Sequence, residues 1–212
     1  MRLAATVALG RLRRLGKTVL TTGDAALHLG LTPSAATRTL RRLANAGLIL
    51  PVRNGLWSLD LQVDRLLLPE HLTAPFPAYV SLQTALQLHG LISQVPRVVY
   101  AVSLAPTRRV RTRLADYSIH RLAPTLFGGF VTPAGGVRLA TPEKALVDTL
   151  YLAPARSRLF AALPEVEIPR GFDREAARQW VGRIPPGPRR TMVAQRLERL
   201  LRPSRRKSRV AS

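Results

Sequence analysis

Ser34, Thr37, Arg38, Arg41 and Asn45 recur at i, i+3, i+4, i+7 and i+11 within PSAATRTLRRLANAG, residues 33–47. At helical spacing these side chains share one face, which is polar and carries no acid. Its chemistry is the recognition of a polyanion. Hydroxyl and guanidinium groups donate to phosphate oxygens, and the paired donors of Arg and the donor and acceptor of Asn can read base edges in a major groove. Arg42 adds a cation beside this face. A second pair, Arg53 and Asn54, sits at Asn-Gly between two apolar runs, where it would lie along a backbone or enter a minor groove. These eight residues are the candidate DNA-binding set.

Other chemistries find less support. The four histidines, His28, His71, His89 and His120, form no compact ligand pair, and the chain has no cysteine. Neither a metal nor a cofactor is expected. Glu143 and Lys144, followed by Asp148, invite comparison with nuclease carboxylate-lysine motifs, but those need a spacer between acid and lysine. An exposed pair complementing a helix dipole is the simpler expectation for them. There is no glycine-rich phosphate loop and no nucleophile elbow, so no catalytic residue is assigned and the chain is not expected to be an enzyme.

The charge balance agrees with a polyanion partner. Thirty-three Lys and Arg face twelve Asp and Glu over 212 residues, a net charge of +21. Residues 1–60 hold nine cations against two acids, and residues 189–212 hold nine against one, whereas the middle is nearly ordinary. No apolar run reaches the length of a membrane span, and arginines interrupt the N-terminal apolar run. The expectation is a cytoplasmic protein with no membrane partner.

These residues need elements to hold them. Leu3, Val7, Leu12 and Leu15 mark a first helix ending at Gly16, and Lys17 to Thr21 a short strand. A second helix runs from Asp24 to Leu29 and is closed by Gly30. Thr32 caps the helix that starts at Pro33, with Ala36, Leu40, Leu43 and Ala44 as its apolar stripe. Leu48 to Leu50, then Val52-Arg53-Asn54-Gly55, then Leu56 to Leu59 read as a hairpin. Trp57 is expected at the core edge, and His28 on the surface. This order over residues 1–60 resembles the winged helix-turn-helix DNA-binding domain.

Residues 61–77, broken by Pro69, Pro75 and Pro77, read as a linker. Beyond it, Ser81 is expected to cap a helix burying Leu82, Ala85, Leu86 and Leu88. Val98 to Val102 reads as a buried strand. Val110 to Leu114 and Tyr117 to Leu122 read as half-exposed strands carrying Arg111, Arg113, Ser118 and His120 outward. Thr141 caps a helix entered at Pro142, with Ala145, Leu146, Leu150 and Leu152 inward. Further helices are expected at 157–163, 173–181 and 192–201. The fold class is therefore α+β, an N-terminal winged helix-turn-helix domain followed by a mixed α+β domain at 78–202, with a basic tail at 203–212.

YVSLQTALQLHGLI, VVYAVSLAPTRRVRT, YSIHRLAPTLFGG and, most specifically, RLATPEKALVDTLYL resemble the antitoxin domain of the AbiEi family, the antitoxin half of type IV toxin-antitoxin and abortive-infection systems. The resemblance covers roughly residues 15–160. It implies an antitoxin and transcriptional repressor that binds double-stranded DNA at repeats in its own promoter (autoregulation) and counteracts a nucleotidyltransferase-like toxin. The alternatives are a stand-alone winged-helix regulator with a ligand-sensing or dimerisation domain, and an enzyme targeted by its winged helix. The basic C-terminal segment, Arg189 to Arg209, is expected to add salt-sensitive affinity without sequence preference.

Overall fold

The computed structural model describes residues 4–153 and 165–202, so the helix expected at 157–163 and the tail 203–212 lie outside the described residues. The chain is a mixed α+β protein. Among the described residues no helix is long and apolar enough to cross a membrane.

The first sixty residues give α1 (Ala5–Arg13), β1 (Val19–Thr21), α2 (Thr22–Leu29), α3 (Pro33–Asn45), β2 (Leu50–Arg53) and β3 (Leu56–Ser58). Ala8, Leu12, Ala25, Leu29, Ala36, Leu40 and Leu43 meet in one buried cluster, so each helix contributes the stripe its periodicity dictates. The three strands form a small antiparallel sheet in the order β1-β3-β2, which leaves β2 on an edge. Pro51, lacking an N–H, is tolerated there. The register slips between Pro51 and Arg53, so Val52 has no partner on β3. This bulge turns Val52 inward, fully buried, and leaves Arg53 exposed.

Helix α2 begins with a capping box. The Thr21 Oγ1 accepts from the Asp24 N–H at 3.0 Å and the Asp24 carboxylate accepts from the Thr21 N–H at 2.8 Å. Lys17 adds an ion pair to Asp24 at 2.8 Å. Partial burial pushes the Asp24 carboxyl upward, but the donors from Lys17 and Thr21 outweigh it and hold the pKa at about 2. A depressed carboxylate contributes stability that is complete above its unfolded pKa and is lost as pH falls through the folded one. Asp24→Ala is thus expected to cost under about 1 kcal/mol at neutral pH, the pair being largely solvated. Thermal melts should show that gap closing between pH 4 and about 2.

The stretch 61–77 does more than connect. Residues Arg65–Leu67 form a 3-10 turn and α4 (Leu68–Thr73) follows, with Leu68 and Leu72 buried. The second half continues as β4 (Ala78–Val80), α5 (Leu82–Leu88), β5 (Val99–Ser103), β6 (Arg108–Arg111), β7 (Asp116–Arg121), β8 (Phe130–Val131), β9 (Leu139–Ala140), α6 (Pro142–Leu152), α7 (Arg174–Gly182) and α8 (Pro188–Leu201). Its six strands form a mixed sheet ordered β6-β7-β5-β4-β9-β8.

Both faces of this sheet are covered, and strand alternation decides by what. Tyr79, Tyr100 and Val102 point into a layer built from α5, α6, α7 and α8. Val99, Ala101, Val110, Tyr117 and Ile119 point the other way, onto Leu68 and Leu72 and onto Val19, Val52 and Leu56 of the first half. The two halves therefore share an apolar cluster, and the 3-10 turn and α4 help to close it.

Candidate nucleic-acid interface

Helix α3 starts where the sequence places it, with the Thr32 Oγ1 accepting from the Ala35 N–H at 3.3 Å and Pro33 in the first turn. The hairpin tip is fixed relative to the helices by two bonds. The Thr22 N–H donates to the Gly55 carbonyl at 3.0 Å, and the Trp57 Nε1–H donates to the Thr22 Oγ1 at 3.0 Å. Gly55 has φ +79, so the tip requires a residue at ease in the left-handed region. Trp57 is buried and helps to form the groove floor.

Between α3 and the hairpin lies a groove of about 690 Å³. Thr37, Arg41 and Asn45 line it from the helix, Arg53 and Asn54 from the hairpin, and Arg113 from the turn between β6 and β7. Among the described residues no acid lines it. Among the described residues none of the three arginines has an ion-pair partner. The groove is thus a positively charged trough with amide and hydroxyl groups set between the charges.

Five of the eight sequence-derived candidates come together here. Ser34 and Arg38 are exposed on α3 but outside the groove lining, Ser34 on the same face one to three turns nearer the helix start. Arg42 departs from expectation. It is half-buried, because a step of about 100° per residue carries it from the solvent face toward the flank packed on the other helices. Thr37 also spends its hydroxyl proton on the Pro33 carbonyl at 2.9 Å, leaving its Oγ1 as an acceptor. Arg113 was not among the candidates. Its own strand reads as half-exposed and nothing in the local pattern reveals that its neighbour in space is Val52.

The charged residues of α6 overturn the expectation of an exposed pair. Glu143, Lys144 and Asp148 are all buried. Lys144 Nζ pairs with Asp148 Oδ1, while Asp148 Oδ2 accepts from the Tyr79 hydroxyl at 3.0 Å and the Ser81 hydroxyl at 2.8 Å. Glu143 accepts from the Asp173 N–H at 2.9 Å, tying the start of α6 to that of α7. The Lys144 ammonium lies 4.9 Å from the Trp180 ring centre and 5.6 Å from that of Tyr79. Burial pushes the Asp148 carboxyl up and the Lys144 ammonium down from their ordinary values, against the attraction each exerts on the other. Burial, and after it the Asp148 charge, raises Tyr79 as well. With Lys144 and Asp148 each 1% exposed, this network holds elements together.

Ser118 and His120 also turn inward, not outward. Both are buried, with the Ser118 hydroxyl 2.9 Å from the His120 Nε2. His28 stays exposed and its Nε2 lies 2.9 Å from the Arg11 carbonyl, which joins α2 to α1. Among the described residues no group of three or more His, Asp or Glu is placed to hold a metal ion. No family model matches the chain, and no curated protein matches it.

Proposed function

We propose that this chain is a DNA-binding repressor whose first sixty residues act as a winged helix-turn-helix module, α3 entering the major groove and the β2–β3 hairpin serving as the wing. The observation that carries the reading is the acid-free groove that brings Thr37, Arg41 and Asn45 against Arg53 and Asn54. Helix and hairpin contacts of this kind divide the work, since phosphate contacts position and base contacts specify. The resemblance of the second half to AbiEi antitoxin domains extends the proposal. The protein acts in the cytoplasm, binds repeats in its own promoter and opposes a nucleotidyltransferase-like toxin.

The test is a competition gel shift with promoter DNA against scrambled duplex. Arg41→Ala is expected to cost about 1–3 kcal/mol on promoter DNA and less on scrambled DNA, whereas Arg53→Ala weakens both alike. Arg38→Ala, outside the groove lining, should have the smaller effect of the two helix variants. Unchanged promoter affinity for both Arg41→Ala and Arg53→Ala would remove the groove from the interface. Coexpression with the product of the neighbouring gene tests the antitoxin part, which fails if that product is toxic and growth is not restored.

A further inference from the structure

We infer that the DNA interface extends beyond the helix and hairpin onto the second half of the chain, where Arg113 supplies a phosphate contact beside the wing. The inference deepens the DNA-binding reading and rests on it.

Three observations carry it. First, Arg113 is exposed and lines the same groove as Arg41, Arg53 and Asn54. Second, its backbone is docked on the wing itself. The Arg113 N–H donates to the Val52 carbonyl at 3.1 Å, so the turn between β6 and β7 abuts the free edge of β2 immediately before Arg53. Third, the turn is stiff. The Thr112 Oγ1 accepts from the N–H groups of Leu114 and Ala115, each at 3.1 Å, and donates to the Ala115 carbonyl at 2.9 Å. Leu114 and Ala115 pack against the apolar cluster shared by the two halves. A cation held on a rigid turn loses only side-chain freedom on binding, which favours a net gain from the contact.

A base-reading role is disfavoured by position. Arg113 stands on the hairpin side of the groove, with Arg53 and Asn54, and belongs to no element that could itself enter a major groove. Its chemistry there is that of a point charge against a phosphodiester, indifferent to sequence.

The experiment uses the full chain and a random-sequence duplex, with binding followed by fluorescence anisotropy over a potassium chloride series. Each phosphate neutralised contributes roughly 0.9 to the slope of log K against log salt. Arg113→Gln is expected to flatten that slope by about one such contact, as Arg53→Gln does, and Arg113→Lys to restore it. Arg174→Gln, exposed at the start of α7 and outside both the groove and the basic C-terminal segment, controls for general loss of charge and should leave the slope unchanged. Thermal melts of each variant verify that the fold survives. A slope unaltered by Arg113→Gln but flattened by Arg53→Gln overturns the inference and leaves the DNA-binding reading standing. Slopes unaltered by Arg41→Gln, Arg53→Gln and Arg113→Gln together overturn the reading itself. Equal flattening by Arg174→Gln also overturns the inference, because net charge alone then accounts for the effect.

Discussion

Asp148→Ala is expected to destabilise the protein by about 3–5 kcal/mol, the cost of leaving a buried charge without its partner. The acid collects three donors, Lys144, Tyr79 and Ser81, from three separate elements, and its loss strands all of them away from water. Lys144 is the most affected. Its remaining neighbours are the aromatic faces of Trp180 and Tyr79, and Gly129 presses on the same space. A Cβ on Gly129 would lie 2.9 Å from the Lys144 Cγ and 2.5 Å from Trp180. Replacing both ends together, Lys144→Met with Asp148→Leu, should recover part of the loss, because an apolar pair of similar volume avoids the desolvation both ions bear. Urea denaturation of the two variants and the parent measures this. A single variant within about 1 kcal/mol of the parent would mean that water reaches the site.

This network also marks where sequence reasoning stops. A Lys and an Asp at i, i+4 are usually solvated on a helix surface, and the local pattern gave no sign that α6 is enclosed by β9, α5, α7 and α8. Ser81 illustrates the same limit. It occupies the N-cap position of α5 as expected, but its hydroxyl leaves the helix start and reaches Asp148. Leu88, whose spacing reads as buried, is 47% exposed, because two helical steps from Leu86 carry it off the face that Leu82, Ala85 and Leu86 bury.

Features fixed by neighbours in sequence were legible. The Thr32 and Thr141 caps, the Asn54-Gly55 turn and the apolar stripe of α3 all depend on residues within one or two turns. Features fixed by contacts across the chain were not. The proline-broken stretch 61–77 reads as a joint because prolines interrupt its periodicity, yet Pro69 sits in the first turn of α4, where its missing N–H costs nothing. Within the candidate interface the same division holds. Thr37, Arg41, Asn45, Arg53 and Asn54 are set by local pattern, whereas Arg113 reaches the groove through a pairing some sixty residues distant in sequence, to Val52.

Separating the two halves is the other change expected to have a large effect, and the shared apolar cluster determines it. In a fragment of residues 1–60, Val19, Val52 and Leu56 lose their cover from the second sheet and from the segment around Leu68 and Leu72. Each is at most 5% exposed in the full chain. Burying such a side chain is worth about 1.5–3 kcal/mol, so the three together approach the whole stability of a domain this small. The fragment should therefore show no cooperative thermal transition and bind DNA far more weakly than its net charge suggests. A cut at residue 78 is as damaging on the other side. It strips Leu68 and Leu72 from the sheet and uncovers Val99, Ala101, Tyr117 and Ile119, an apolar face that invites aggregation. Sedimentation and circular dichroism of the two fragments decide the matter. A sharp melt from the 1–60 fragment near that of the full chain would show that its own helical cluster suffices, and the hairpin would then owe its position to α2 alone.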